Sequence, residues 1–159
     1  MFAATAVPSS SSPPIWFFVP CFIGTWVLVS FAISRTSGWS LLSKVYPAQN
    51  PFSGTVIRFQ AAAFRKGSNY NGCLNFGGDV AGLYMVPMLI FRAFHKPLMI
   101  PWDDIWARPV KLWKIMNFVE LRFRQAPDIP VRIKPSLAAK LVEASVGRLS
   151  ITPSAPVDF

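Results

Sequence analysis

The feature that most constrains this sequence is a long segment without charge at its N-terminal end. All 16 Lys and Arg and all seven Asp and Glu lie at or after Arg35. Within the uncharged part, the run from Ile15 to Ile33 holds 19 consecutive apolar, small or hydroxyl-bearing residues. A helix of that length extends about 28 Å, close to the thickness of the hydrocarbon core of a bilayer. The sequence therefore predicts a transmembrane helix over residues 15–34, preceded by a disordered tail over 1–14 that is rich in Ser, Ala and Pro.

The flanks of this segment predict its orientation. Arg35 and Lys44 follow the apolar run and no basic residue precedes it. Because basic flanks usually stay on the cytoplasmic side, we expect a single-pass protein of the inner membrane whose C-terminal domain is cytosolic. A cleaved signal peptide is the alternative, since Ser30, Ala32 and Ser34 are small residues near a possible cleavage point. The absence of a basic N-terminal region and the length of the apolar run favour the anchor.

Residues 35–51 form a juxtamembrane segment with the spacing of a short helix. Its large apolar residues recur at near-helical intervals and the pattern ends at a proline: Trp39, Leu42, Val45, Tyr46 and Pro47. Such a helix can lie along the lipid headgroups, with its aromatic residues at the interface. It can equally pack against the domain that follows. The sequence leaves both interpretations open.

The remaining chain is predicted to be one domain over residues 52–147, with a flexible tail over 148–159. Short runs with strand-like patterns are separated by turn residues: 55–64, 73–76, 82–90, 98–100, two strands or one bent strand within 110–124, and 129–133. The pair Asn71-Gly72 predicts a hairpin turn. An amphipathic helix over 136–147 closes the domain. The predicted fold is mainly β, a small antiparallel barrel or sandwich of six or seven strands capped by a C-terminal helix.

The stretch from His95 to Trp106 is predicted to be a buried strand that ends in a polar corner. Its apolar core, residues 98–100, lies between two prolines, which are rare inside central strands. We expect Trp102, Ile105 and Trp106 to anchor the corner to a core. Asp103 and Asp104 are expected to face water or to cap a backbone amide.

The predicted strand order, the terminal helix and the phrase PLMIPWDDI resemble the pleckstrin-homology-like (PH-like) folds, including the GRAM and bacterial PH groups. The whole chain resembles bacterial single-pass proteins that join one N-terminal anchor to such a domain. The resemblance covers residues 52–147 and implies a binding or scaffolding module at the membrane. A compact Lys-x-Arg phosphoinositide signature is missing, and Arg65-Lys66 is the nearest substitute.

Basic residues in the late strands are the predicted binding site for lipid or a partner. The formal net charge is +9, and six basic residues fall in consecutive predicted strands: Lys111, Lys114, Arg122, Arg124, Arg132 and Lys134. If those strands are adjacent, the alternating residues form one cationic surface for anionic lipid headgroups or a partner membrane protein. A solvated face that only keeps the domain soluble is the alternative. Nucleic acid is not expected as a partner, because no RNA-binding aromatic motif is present.

No motif in the sequence identifies a reaction. The alternative function is an enzyme that acts on a membrane-proximal substrate, built around His95, Asp103 and Asp104. We expect no cofactor and no metal site, since one histidine and the two cysteines Cys21 and Cys73 do not make a ligand cluster. Neither cysteine is expected to form an intramolecular disulfide.

Overall fold

A computed structural model describes residues 15–112 and 115–152. Three α-helices and seven β-strands lie within these ranges: α1 (Ile15–Ser37), α2 (Trp39–Val45), β1 (Thr55–Ala63), β2 (Asn69–Gly78), β3 (Gly82–Pro87), β4 (Leu98–Pro101), β5 (Ile105–Leu112), β6 (Met116–Phe123), β7 (Ala126–Ile133) and α3 (Pro135–Ala144). Short 3₁₀ helices follow β1, β3 and β4, at Arg65–Gly67, Leu89–Phe94 and Trp102–Asp104. The prediction of a mainly β fold with a C-terminal helix, preceded by one long apolar helix, is confirmed.

All seven strands form one antiparallel sheet in the order β4-β3-β2-β1-β7-β6-β5. The two edge strands, β4 and β5, are consecutive in the chain and joined by only the 3₁₀ helix Trp102–Asp104. In a flat sheet the edges would lie about 29 Å apart, at about 4.8 Å per strand spacing. The connection from Pro101 to Ile105 can reach only about 15 Å, at 3.8 Å per residue. The sheet therefore curls until its two edges approach each other.

Alternation along the strands directs one face of the curled sheet inward. In β6, Val119, Leu121 and Phe123 are buried, as their period of two predicts. Ile129, Val131 and Ile133 are buried with the same alternation in β7. These residues belong to one hydrophobic core, to which α3 adds Leu137, Ala138 and Leu141.

The predicted hairpin turn at Asn71-Gly72 is wrong. The chain reverses instead at the 3₁₀ helix Arg65–Gly67, where Gly67 has a φ of +72°. Gly72 also has a positive φ, +69°, but it lies inside β2, where the register with β1 shifts between Leu74 and Tyr70. Its left-handed backbone serves a β-bulge rather than a turn.

Helix α2 packs inside the domain, which decides between the two interpretations of the juxtamembrane segment. Trp39 and Leu42 are fully buried. The indole of Trp39 lies against Phe64 and Tyr70, and its Nε1 donates a hydrogen bond to the carbonyl of Lys96 at 2.9 Å. The segment is therefore part of the core rather than a helix resting on headgroups.

The polar corner has one anchoring tryptophan instead of two. Trp102 is buried, and its Nε1 donates to the carbonyl of Asp79 at 2.7 Å. Trp106 is 54% exposed, so its predicted role in the core is wrong. In β5 its side chain alternates to the outer face, where the Arg124 guanidinium lies 5.7 Å from the centre of its ring.

The domain continues past its predicted end at residue 147. Leu149 is buried, and the amide of Thr152 donates to the carbonyl of Ala107 at 3.0 Å. Arg148 also donates to the carbonyl of Val80 at 3.0 Å. Residues 148–152 are thus attached to β5 and to the β2–β3 turn rather than forming a loose tail. Residues 153–159, and the tail predicted over 1–14, lie outside the described residues.

Helix α1 is long and apolar enough to cross a membrane, over Trp16–Ser37, and most of that stretch is exposed. Aromatic contacts with the domain begin at Trp26, and the C-terminal part of the helix packs most closely against it. There Ser30, Ser34 and Ser37 are buried. Small hydroxyl residues let other segments approach a helix closely, and Ser34 donates a hydrogen bond to the carbonyl of Phe94 at 2.7 Å.

Candidate functional site

Three arginines converge on one buried carboxylate on the outer face of β5, β6 and β7. Arg108 Nη2 lies 2.7 Å from Oε1 of Glu120, and Arg122 Nε lies 2.9 Å from the same oxygen. Arg132 Nε approaches Oε2 of Glu120 at 3.0 Å. We call Arg108, Arg122, Arg132 and Glu120 together the arginine face.

Strand register explains why these side chains meet. Arg108 of β5 is directly opposite Glu120 of β6, and Glu120 is opposite Arg132 of β7. Side chains directly opposite each other in antiparallel strands lie on the same face of the sheet, about 5 Å apart at Cβ. Arg122 is two residues along β6 from Glu120 and therefore points to the same side.

The surroundings of Glu120 stabilise its charged form. Its side chain is only 2% exposed, and burial alone raises the pKa of a carboxyl. Hydrogen bonds from Arg122, Arg108 and Arg132 outweigh that effect and hold the pKa of Glu120 below its ordinary value. One negative charge is thus matched by three positive charges, which leaves this cluster cationic.

The arginines are paired but still accessible. Their side chains are 37–45% exposed, whereas the carboxylate they bind is buried beneath them. A guanidinium has five N–H donors in a planar fork, and Arg122 and Arg132 each use one of them on Glu120. The remaining donors can bind an anion from solvent, with their geometry already restrained by Glu120.

Two of the six predicted basic residues, Arg122 and Arg132, lie in this face. Lys111 is opposite Asn117 and three residues after Arg108. Because side chains alternate along a strand, it points to the other face of β5. Lys134 follows β7 and lines an open groove of about 310 Å³ that it shares with Arg132. Lys114 lies outside the described residues.

Arg124 is held elsewhere, at the corner between β4 and β5. Its Nε lies 3.5 Å from Asp104 Oδ1, and its Nη2 donates to the carbonyl of Asp103 at 3.2 Å. Asp104 also accepts hydrogen bonds from the Tyr46 hydroxyl at 3.1 Å and from the side chain of Gln125 at 3.2 Å. These contacts fasten the β6–β7 turn and the end of α2 to the corner.

The residues of the enzyme alternative have separate partners. Asp104 is occupied at the corner, and Asp103 is an exposed residue with Arg148 at 3.9 Å. His95 is buried at the end of the 3₁₀ helix Leu89–Phe94, where its Nε2 lies 2.9 Å from the hydroxyl of Tyr70. No hydrogen bond or ion pair within the described residues joins His95 to either aspartate.

His95 belongs to a buried neutral hydrogen-bonded chain that links α1 to the domain. The Tyr70 hydroxyl lies 2.9 Å from Ser37 Oγ and 2.9 Å from His95 Nε2. Burial lowers the pKa of His95 and raises the pKa of Tyr70 to about 12, so both groups are neutral near pH 7. Trp39 covers this chain, with its ring 5.5 Å from that of His95. We call Ser37, Tyr70 and His95 the hydroxyl–imidazole chain.

The described residues contain no group of three or more side chains suited to hold a metal ion. Cys73 is half-buried, and burial raises the pKa of its thiol, which opposes thiolate formation. Comparison with family models, curated proteins and solved structures finds no match for this chain.

Sequence reasoning missed two members of the arginine face, Arg108 and Glu120. Arg108 precedes a proline, and the sequence pattern predicts a strand only from Val110, so its place in β5 is not evident from the sequence. Glu120 reads as an ordinary solvated residue on the outer face. The available signal was a lone acidic residue in a strand that also carries Arg122, within a strongly basic domain.

Proposed function

We propose that this protein is a membrane-anchored binding module whose arginine face binds anionic lipid headgroups. The observation that carries the proposal is the convergence of three accessible guanidiniums on one buried carboxylate. Arginine binds phosphate and carboxylate groups through two parallel N–H donors, which suits a phospholipid headgroup. Glu120 reduces the repulsion among the arginines and restrains them, so less ordering is needed when a ligand binds.

The anchor in this proposal is α1, which would cross the inner membrane with the domain in the cytosol. Its length, its apolar composition and its exposed surface support this role. Arg35 in its last turn supports a cytosolic C-terminal side. Tethering would keep the arginine face at high local concentration near lipid, so that contributions of about 1 kcal/mol per basic residue suffice for contact.

A PH-like identity of the domain is part of the proposal. The seven-stranded antiparallel sheet, its strong curl and the helix that follows β7 support it. No specific observation favours the enzyme alternative. His95 is hydrogen-bonded to Tyr70, Asp103 lies near Arg148, and Asp104 is bound by Arg124, Tyr46 and Gln125.

The test is a titration of the full chain, in mild zwitterionic detergent, with short-chain phosphatidylglycerol and phosphatidylcholine. We expect tighter binding of phosphatidylglycerol, weakened by salt because it depends on charge. Replacing Arg108 and Arg122 by Gln, which leaves Arg132 on Glu120, is expected to lower the affinity on the order of tenfold.

The matched control is Lys140→Gln, which removes an exposed positive charge from α3. It is expected to change the affinity little. Equal binding of the two lipids, or equal loss in the control and the double variant, would contradict a specific headgroup site. Crosslinking of the arginine face to a membrane protein in native membranes, without a lipid preference, would instead point to a protein ligand.

A further inference from the structure

The 3₁₀ helix Leu89–Phe94, of sequence LIFRAF, connects β3 to β4 and packs alongside α1. Phe91 packs against Trp26 with ring centres 5.0 Å apart, and Phe94 meets Phe31 edge-on at 5.5 Å. Ile90 reaches further along the helix and lines an apolar groove with Phe22, Ile23 and Trp26. We call Leu89–Phe94 the LIFRAF segment.

The other side of this segment is uncovered. Leu89 is 77% exposed and Ile90 is 60% exposed. Phe59, 64% exposed, lines the same open groove as Leu89. It is held outward at a bulge in β1, with a left-handed φ of +57° and its amide donating to Asn75 Oδ1 at 3.3 Å. Leu89 and Phe59 are therefore exposed together in one groove, and Ile90 is exposed in the groove that it shares with α1.

Several backbone groups in and next to the LIFRAF segment are hydrogen-bonded. The amide of Phe91 donates to the carbonyl of Met88, and the amide of His95 donates to the carbonyl of Arg92. The carbonyl of Phe94 accepts the hydroxyl of Ser34. Non-helical backbone is tolerated at membrane depth where its polar groups are paired and it rests against protein.

We propose that the LIFRAF segment is a second membrane-embedded element. It would insert beside α1 into the acyl-chain region of the leaflet that faces the domain. This inference rests on the proposed function, because it requires α1 to cross the bilayer. Trp26 lies nine residues before Arg35, about 14 Å along the helix, and half a hydrocarbon core is about 15 Å. With Arg35 at the headgroups, the contact between Phe91 and Trp26 places Ile90 deep within that leaflet.

The charges around the segment are placed for the boundary of the leaflet. The Nε of Arg92 donates a hydrogen bond to the carbonyl of Pro87 at 3.4 Å. Arg58 lines the same groove as Arg92, and neither forms an ion pair within the described residues. Long arginine side chains can bury their stems in the apolar region while their guanidiniums stay at the phosphate level. Insertion of Leu89 and Ile90 would therefore hold the domain against the membrane through α1 and the LIFRAF segment, with Arg58 and Arg92 at the level of the phosphates.

The experiment places an environment-sensitive fluorophore, NBD, on single cysteines of the full chain in vesicles of phosphatidylcholine and phosphatidylglycerol. The native Cys21, kept with Cys73→Ala, reports on α1. Ile90→Cys, with both native cysteines replaced, reports on the LIFRAF segment. Val80→Cys is the matched control, because Val80 is also apolar and 73% exposed but lies at the β2–β3 turn beside Arg148.

Labels at positions 21 and 90 are expected to be quenched by a nitroxide on the lipid acyl chain. They should also be protected from aqueous iodide at least threefold relative to position 80. A label at position 90 that behaves like position 80, while position 21 is lipid-quenched, overturns this inference and leaves the anchor intact. Iodide quenching at both 21 and 90 overturns the anchor as well. Leu89→Cys provides a second reporter if Ile90→Cys does not fold.

Discussion

The arginine face and the hydroxyl–imidazole chain bury titratable side chains in opposite ways. Glu120 is 2% exposed and charged, with three guanidiniums around it. His95 is 1% exposed and neutral, with one hydroxyl partner on Nε2 and none on Nδ1 within the described residues. A buried charge needs charged partners that offset the free energy lost with its hydration. A titratable base can instead lose its proton and become neutral. The first cluster therefore stays cationic towards solvent, whereas the second is neutral and joins α1 to the domain.

The largest effect is expected from removing the charge of Glu120. Glu120→Gln leaves three guanidiniums around a neutral amide and should lower the free energy of unfolding by about 3 kcal/mol. This is the lower end of the range for breaking a buried ion pair, because water partly screens the arginines. Urea unfolding of the full chain in mild detergent, followed by circular dichroism, measures it. Glu143→Gln on the exposed side of α3 is the control, and an equally small loss in both variants would show that the arginines do not depend on Glu120.

An intermediate effect is expected in the hydroxyl–imidazole chain. Tyr70→Phe removes the hydroxyl that contacts both Ser37 and His95. It should lower the free energy of unfolding by about 1–3 kcal/mol, since two buried polar groups each lose one hydrogen-bond partner. The same unfolding measurement applies. Tyr84→Phe serves as the comparison, because the Tyr84 hydroxyl makes no hydrogen bond within the described residues. If the two variants are equally stable, the chain does not contribute to holding α1 on the domain.

The smallest effect concerns pH and separates the two clusters by their titration windows. The folded pKa of His95 is lowered from 6.5, so the unfolded state takes up a proton first and stability falls as the pH drops below about 6.5. Between pH 7.5 and 5.5 this loss is at most about 1.4 kcal/mol. The pKa of Glu120 is also lowered, from 4.5, so its contribution is present above pH 4.5 and disappears only as the pH falls through its lower folded pKa.

A His95→Gln variant, which cannot be protonated in this range, is expected to lose the slope between pH 7.5 and 5.5 while keeping the acid transition. The measurement is urea unfolding at pH 7.5, 5.5 and 4.0. An unchanged slope in the variant would mean that other groups produce the pH dependence and that His95 does not titrate on unfolding.

Local pattern predicted the elements well where one side of a strand is buried. Val119, Leu121 and Phe123 show their buried face by alternation alone, and the apolar run after Ile15 identifies α1 by length. Pattern failed where the same signal has two structural uses. Gly72 supplies a left-handed backbone for a bulge as readily as for a turn, and Trp106 is as large as Trp102 but faces outward.

The sequence by itself determined the apolar N-terminal helix, the mainly β class of the domain and its C-terminal helix, because these depend on composition and on periods of two and 3.6 residues. Only the tertiary structure decided which polar residues meet. Strand register brought Arg108 and Arg132 to Glu120 across β5, β6 and β7. The fold also brought Tyr70 to Ser37, 33 residues earlier in the chain, and to His95, 25 residues later. Such contacts depend on which strands are neighbours and on their alignment, and neither is encoded in the local pattern of any one segment.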